Sequence, residues 1–200
     1  MTMYSEDIRL TGEVLGGNQS AFLIIINRHR RLVYHIVNRL IPNKSDHEDL
    51  GQDIFLKVYS KLNTYKGEAK LSTWIARIAY NTCLNYLEKK KYNLMDDLVK
   101  SHDGEDDETS LMDNVMDSSL LPDIETENLI NSEILRNNIS KLPATYKIIL
   151  TLYHLESMKY KEIAEITNLP EGTVKSYLFR ARQMLKNILT KEYSMEDLCL

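Results

Sequence analysis

Apolar residues recur at helical spacing along almost the whole chain, whereas the alternation typical of strands is scarce. The pattern predicts helices over residues 6–15, 21–40, 45–62, 72–92, 143–155, 159–167 and 170–189. Between residues 93 and 131 the periodicity fails. We therefore expect an all-α fold class, with two small helical domains joined by a flexible linker.

The expected linker is strongly acidic, although the whole chain carries a net charge of only −4. Basic residues outnumber acidic ones by 14 to 9 in residues 1–91 and by 10 to 7 in residues 134–200, but residues 92–133 hold 13 acidic residues and one lysine. Two basic modules around a polyanionic segment are typical of nucleic-acid-binding proteins, and the alternative for the segment is a solvated spacer. We place the first domain at 1–92, the linker at 93–132, the second domain at 133–191 and a tail at 192–200.

Several classes of protein conflict with the composition. No run of about 18 apolar residues exists and residues 1–7 lack the order of a signal peptide, so we expect a cytoplasmic protein without membrane insertion. Cys83 and Cys199 have no metal-ligand spacing, so we expect neither a disulfide nor a metal and place Cys83 in the core. Paired acid and base residues, a nucleophile elbow and a phosphate-binding loop are all missing, so we expect no catalytic residue and no cofactor.

Residues 159–186 have the pattern of a helix-turn-helix. A short apolar-faced helix meets a tight turn at Asn168, and a longer helix follows. The longer helix carries one apolar stripe, formed by Val174, Leu178, Ala181 and Leu185. In such a motif the second helix enters the major groove of DNA.

The opposite face of the longer helix carries candidate DNA contacts. They are Thr173, Lys175, Ser176, Phe179, Arg180 and Arg182. Lysine and arginine can donate to guanine or phosphate, phenylalanine can contact a thymine methyl group, and the helix N-terminus suits a phosphate. A helical hairpin with a solvated basic face is the alternative, but the turn, the small Ala164 and the basic face together favour DNA.

Two sets of motifs resemble one known family. In the second domain, the strings Leu142-Pro143, Tyr160-x-Glu162-Ile163-Ala164-Glu165, Pro170-x-Gly172-Thr173-Val174-Lys175-Ser176 and Arg180-Ala181-Arg182 resemble region 4 of bacterial extracytoplasmic-function (ECF) sigma factors. In the first domain, Asp46-x-Glu48-Asp49-Leu50-x-Gln52-Asp53-x-Phe55, Tyr65-Lys66-Gly67-Glu68, Ser72-Thr73-Trp74-Ile75 and Ile78-Ala79-Tyr80-Asn81 resemble region 2. The two sets stand in the family's order and cover nearly the whole chain outside the linker.

The resemblance implies a sigma factor that binds core RNA polymerase and directs promoter-specific initiation. Region 4 would read the −35 element as duplex DNA, whereas region 2 would bind the polymerase clamp and hold the melted −10 strand. An anti-sigma protein is a further implied partner. The leading alternative is a helix-turn-helix regulator that acts without polymerase and dimerises through its first domain.

The implied clamp surface is acidic and comprises Asp46, Asp49, Gln52 and Asp53. The three carboxylates are spaced to share one helical face, where they could meet arginine or lysine of a partner. A solvated acidic face is the alternative, and a metal site is disfavoured because no two histidines share the face. We expect this helix to begin with a capping box between Ser45 and Glu48.

The implied −10 surface lies on the following loop and on the last helix of the first domain. In the loop, Gly67 permits close backbone approach and Tyr65 offers a plane for base stacking. The other predicted contacts are Lys66, Lys70, Asn81, Asn85, Tyr86, Lys89 and Lys90. Asparagine can read a base edge and lysine can neutralise phosphate, whereas we expect Trp74 in the core rather than wedged between bases.

Overall fold

The computed structural model describes residues 3–100 and 137–192. The first domain contains α1 (Met3–Leu15), α2 (Gln19–Leu40), α3 (His47–Lys61) and α4 (Leu71–Lys100), with 3-10 turns at Lys44–Asp46 and Leu62–Thr64. The second contains α5 (Ala144–His154), α6 (Tyr160–Thr167) and α7 (Glu171–Glu192). Within these ranges there is no strand, which confirms the all-α expectation, and no helix is long and apolar enough to cross a bilayer.

Helix α2 is the centre of the first domain, and α1, α3 and α4 all pack against it. Its buried side chains are Ala21, Ile25, Leu32, Val33, Ile36, Val37 and Leu40. The Asn18 side chain caps this helix by accepting from the backbone N–H groups of Ser20 and Ala21. Burying one leucine or isoleucine side chain contributes about 1.5–3 kcal/mol, so this face fixes the positions of the other three helices.

The second domain is the predicted helix-turn-helix, with α5 and α6 both packed on α7. On α7 the predicted apolar stripe faces inward: Val174, Leu178 and Ala181 are buried. Asn168 ends α6 in the left-handed conformation, with φ of 56°, which asparagine adopts more readily than most residues. This turn sets α6 against α7.

Two local predictions were wrong. A 3-10 turn capped by Asn43 precedes α3, and the Ser45 hydroxyl donates to the Asp46 carboxylate, so no capping box links Ser45 to Glu48. Helix α4 continues to Lys100, past the predicted end at residue 92, so the first eight residues assigned to the linker are helical. Residues 101–132 of the predicted linker and 193–200 of the predicted tail lie outside the described residues.

The two domains contact each other directly. Helix α4 packs against α6, and α2 packs against α5. Two polar pairs join the domains: Lys70 Nζ lies 2.9 Å from Glu162 Oε1, and His35 Nδ1 lies 2.5 Å from Glu156 Oε1. The helical pattern of the sequence predicted both domains but not this contact.

Candidate functional surfaces

The outer face of α7 presents the predicted −35 residues to solvent. Lys175, Ser176, Phe179, Arg180 and Arg182 are exposed, and Thr173 is half-buried. The Ser176 hydroxyl donates to the carbonyl of Gly172 at 2.9 Å, and Lys175 lies 3.1 Å from Glu171 on the same helix. The structure therefore brings all six residues to one helix and leaves its basic and aromatic side chains accessible.

A pair of tyrosines, which we name the tyrosine stack, supports two cations of this face. Tyr153 of α5 and Tyr160 of α6 stack with centroids 5.2 Å apart and planes 14° from parallel. Lys175 Nζ lies 5.4 Å from the centroid of Tyr160, and Arg182 Cζ lies 5.2 Å from that of Tyr153. Cation–π contacts restrain the two cations without cancelling their charge. Sequence reasoning missed Tyr153, because its partners lie on other helices.

The residues of the tyrosine stack and their neighbours alter one another's pKa values. The hydrogen bond with Tyr160, together with Arg182, lowers the pKa of Tyr153, and the same hydrogen bond raises the pKa of Tyr160. His154 Nε2 accepts from Arg182 at 3.2 Å, and burial together with the Arg182 charge lowers the pKa of that imidazole. The histidine is thus kept neutral as an acceptor for the arginine.

Helix α3 carries an exposed acidic face with an apolar neighbour. Asp49, Gln52 and Asp53 are exposed along one side of the helix, and Leu56 follows one turn later with 66% of its surface exposed. A large exposed apolar side chain beside carboxylates is more typical of a docking surface than of a solvated face. Sequence reasoning missed Leu56, although its spacing from Gln52 and Asp53 was visible.

Asp46 lies apart from this face, because it precedes α3. It accepts from the Tyr86 hydroxyl at 2.5 Å and from Lys90 Nζ at 3.3 Å. The hydrogen bond from Tyr86, aided by Lys90, lowers the pKa of the Asp46 carboxyl, and both partners have raised pKa values. The structure thus groups this predicted clamp residue with two predicted −10 residues.

Local contacts restrain both the backbone and the side chains of the loop between α3 and α4. Gly67 adopts a φ of 72°, and a Cβ atom there would lie 3.1 Å from the side chain of Ile8. The Tyr65 hydroxyl donates to the carbonyl of Ala69 at 2.8 Å, and its ring leans on Trp74 with centroids 5.6 Å apart. Trp74 packs against the core, as predicted, and so restricts the ring that was expected to stack on a base.

The outer face of α4 combines amides with cations. Asn81, Asn85 and Lys89 are exposed at successive turns. A groove of about 360 Å³ lies beside them, lined by Lys57, Asn85, Glu88 and Lys89. Lys57 belongs to α3 and lies 3.4 Å from the Thr82 hydroxyl, so sequence reasoning missed its place in the groove. Of the two other loop lysines predicted for this surface, Lys66 is exposed and Lys70 contacts Glu162.

Comparison with known proteins identifies the two domains. The family described as Sigma-70 region 2 matches residues 25–92, and the family described as Sigma-70, region 4 matches residues 132–185. The ECF RNA polymerase sigma-E factor of Haemophilus influenzae is 33% identical over 186 residues, which cover 90% of this chain and 94% of the relative. This chain belongs to the ECF group of the sigma-70 family.

Other relatives and structures agree with this membership. The sigma factor is 34% identical to the sigma-E factor of Escherichia coli, with 89% of this chain and 91% of that protein covered. Its fold matches CnrH in complex with the cytosolic domain of CnrY (18% identity, TM-score 0.63, 94% and 99% covered) and RpoE in complex with the anti-sigma factor NepR from Bartonella quintana (20%, 0.62, 86% and 98%).

Membership decides between the two functions predicted from the sequence. Like its family, this sigma factor binds core RNA polymerase and directs promoter-specific initiation. The alternative, a regulator that acts without polymerase, does not explain why both family regions are present. Sigma factors are initiation factors that act by binding.

Proposed function

We propose that three surfaces of the sigma factor divide the work of initiation. The outer face of α7 reads the −35 duplex, the loop and outer face of α4 hold the melted −10 strand, and the acidic face of α3 binds the polymerase clamp. The protein acts in the cytoplasm by binding alone, without catalysis, metal or cofactor. The observation that carries this division is the support of Lys175 and Arg182 by the tyrosine stack.

The side chains exposed on α7 suit recognition of duplex DNA. Arg180 is exposed near the middle of the helix and can donate two parallel hydrogen bonds to a guanine edge. Lys175 and Arg182 flank it on their tyrosine supports, which suits phosphate contacts, although Lys175 also pairs with Glu171. Phe179 is exposed beside them as an apolar contact for thymine.

Single-strand recognition by the first domain follows from a different chemistry. The amides of Asn81 and Asn85 can pair with the edges of unstacked bases, whereas Lys57 and Lys89 line the adjoining groove where phosphates would lie. Tyr86 and Lys90 are held near the same face by Asp46. We accordingly move Asp46 from the clamp surface to the −10 surface, where its carboxylate neutralises Lys90.

The clamp surface then comprises Asp49, Gln52 and Asp53, with Leu56 as its apolar member. Charge complementarity steers association and a desolvated apolar contact slows dissociation, so the combination fits a protein partner. CnrH and RpoE are each solved with a second protein, and for RpoE it is named an anti-sigma factor. We therefore include an anti-sigma protein among the partners of this sigma factor.

Affinity for core polymerase tests the clamp assignment. Replacing Asp49 and Asp53 together with alanine should weaken binding to core about tenfold or more, since charged pairs at protein interfaces commonly contribute that much. Glu48→Ala is the matched control, because Glu48 is exposed on the same helix but off this face. Equal affinities of the folded double variant and the control would remove α3 from the clamp contact.

A further inference from the structure

Helix α1 contacts the loop between α3 and α4 at both ends and in the middle. At the first end, α1 packs against the 3-10 turn Leu62–Thr64, which leads into the loop. In the middle, a Cβ atom on Gly67 would lie 3.1 Å from the Ile8 side chain, so the backbone of the loop passes directly over Ile8. At the far end, the backbone N–H of Leu71 donates to Asp7 Oδ2 at 3.3 Å. Helix α1 therefore supports the loop along its whole length.

The contact between Asp7 and Leu71 is a helix cap that a different helix supplies. Helix α4 begins at Leu71, and the first backbone N–H groups of a helix have no carbonyl partner within that helix. In α2 the neighbouring Asn18 provides the acceptor, whereas in α4 the acceptor comes from a residue 64 positions earlier in the chain. A carboxylate at this end also interacts favourably with the helix dipole. Asp7 therefore helps to fix where α4 begins.

The burial of Asp7 sets it apart from the other carboxylates of α1. Only 7% of its surface is exposed, and a carboxylate is seldom buried unless a partner compensates for the lost hydration. Leu71 is itself fully buried, so the two residues meet inside the domain. The Asp7 charge also acts on the His29 imidazole of α2, where it opposes the burial that lowers the pKa of that group. Asp7 thus acts on the interior of the domain and does not face solvent.

The cap lies where the loop joins the helix that carries the other predicted −10 contacts. The residue before Leu71 is Lys70, whose carbonyl accepts from the Trp74 N–H and closes the first turn of α4. Within the loop, the Tyr65 hydroxyl donates to the carbonyl of Ala69. That bond joins two parts of the loop to each other, whereas the contacts with α1 join the loop to the rest of the domain. Helix α1 therefore sets the position of the loop relative to the asparagines on the outer face of α4.

We propose that Asp7 is a positioning residue for the −10 strand and that, together with Ile8, it holds the loop between α3 and α4 at the start of α4. The lysines of the loop and the asparagines of α4 then stand at a fixed spacing along one strand. Because the loop is already ordered, binding of the strand does not have to order it. Asp7 does not touch the strand, since its side chain is buried. This inference rests on the −10 surface proposed above.

Strand binding by holoenzyme that contains Asp7 variants tests the proposal. The probes are a single-stranded oligonucleotide that carries the −10 element of a selected promoter and a duplex that carries only the −35 element. Asp7→Ala should weaken binding of the −10 strand about three- to tenfold, because binding must then order the loop as well, and should leave −35 binding unchanged. Asp7→Asn keeps an oxygen that can accept from the Leu71 N–H and should bind within about twofold of the parent. An alanine variant that binds the strand like the parent, or an asparagine variant as weak as alanine, would overturn the proposal.

A matched control separates positioning from a general loss of stability. Val37 is buried near the far end of α2, about 13 Å along the helix from Arg28, which pairs with Glu6 of α1. Val37→Ala and Asp7→Ala should both lower the denaturant midpoint of the first domain, but only Asp7→Ala should weaken binding of the −10 strand. Equal weakening in the two variants would mean that stability alone controls strand binding, which contradicts a positioning role.

Amide hydrogen exchange measures the cap itself in the full-length free protein. The Leu71 N–H should exchange about tenfold faster or more in Asp7→Ala, because its hydrogen bond to Asp7 is lost, and at close to the parent rate in Asp7→Asn. An unchanged rate in Asp7→Ala would show that the hydrogen bond does not hold the start of α4, and the proposal would fail with it.

The same strand titration distinguishes failure of this inference from failure of the proposed −10 surface. Asn85 is exposed on α4, so Asn85→Ala should weaken strand binding by removing a contact with a base. Weak binding by Asn85→Ala together with normal binding by Asp7→Ala would remove only the positioning role. Normal binding by both variants would remove the −10 surface as well.

Discussion

The two DNA-reading surfaces hold their cations in different ways. In the second domain, Arg182 rests on the ring of Tyr153 and on a neutral His154 and keeps its full charge for phosphate. In the first domain, Lys70 and Lys90 are bound by the carboxylates of Glu162 and Asp46, which neutralise them. The second domain therefore offers Arg182 directly to DNA, whereas Lys70 and Lys90 of the first domain must exchange internal partners for the strand.

This difference matches the two forms of DNA that the domains meet. Duplex DNA exists before polymerase arrives. A face on α7 whose cations are already in position therefore loses little conformational entropy when it binds that duplex. The single strand appears only after melting, and lysines neutralised by carboxylates do not attract duplex to the wrong domain in the meantime.

Gly67→Ala should cause the greatest loss, both of stability and of −10 binding. Alanine in the left-handed conformation costs about 1–2 kcal/mol, and its Cβ would also press on Ile8. Denaturant unfolding should show a loss of that size, and binding of the −10 strand should weaken while −35 binding stays unchanged. Adding Ile8→Ala should restore little, because Ile8 can move aside but the backbone strain remains. Full restoration by Ile8→Ala would show that the contact, not the φ angle, dominates.

Removing the tyrosine stack should have an intermediate effect on the other domain. Tyr153→Ala should weaken binding to −35 duplex about two- to fivefold, since exposed cation–π contacts contribute on that scale. Tyr153→Phe keeps the ring and should bind almost normally in the same fluorescence-anisotropy titration. If the phenylalanine variant were as weak as the alanine variant, the hydroxyl rather than the ring would be the support.

Removing the charge that pairs with Lys90 should slightly strengthen binding of the −10 strand by the first domain. Asp46→Asn keeps a side chain that can accept from Tyr86 but removes the charge that neutralises Lys90. Affinity for the −10 strand should rise and its salt dependence should steepen by up to one phosphate contact, about 0.7 in the logarithmic slope. A weaker affinity with an unchanged slope would mean that Asp46 positions Lys90 instead of masking it.

The smallest effect concerns pH. Burial lowers the pKa of His29 in the folded protein, so between that value and the ordinary imidazole pKa near 6.5 the unfolded chain binds more protons. The free energy of unfolding should therefore fall as pH drops below about 6.5, and His29→Gln should flatten the decline. His154→Gln should flatten it less, because His154 is more exposed. A decline that His29→Gln leaves untouched would contradict this assignment.

Local chemistry was predictable from the sequence where neighbours along the chain decide it. The stripe of Val174, Leu178 and Ala181 and the turn at Asn168 depend on short spacings, and the structure confirms them. The start of α3 was predicted wrongly because Asn43, rather than Ser45, caps the turn that precedes it.

Contacts between distant segments could not be predicted in this way. His35 and Glu156 are separated by 121 positions, and neither belongs to a motif. The tyrosine stack joins two helices and supports a third, so its role depends on how the helices pack. The consecutive apolar residues Ile148, Ile149 and Leu150 were a usable sign, because a helix that is apolar on several sides needs several neighbours.

Footprinting of the polymerase holoenzyme tests the division of recognition most directly. On a promoter selected from a random-sequence library, Arg180→Ala should lose protection of the −35 element, with a cost of about 1–3 kcal/mol if the arginine pairs with a base. Strand opening at the −10 element, read by permanganate reactivity, should persist at high holoenzyme concentration. Asn85→Ala should lose strand opening at the −10 element and keep protection of the −35 element. Loss of −10 opening with intact −35 protection in Arg180→Ala would contradict the account.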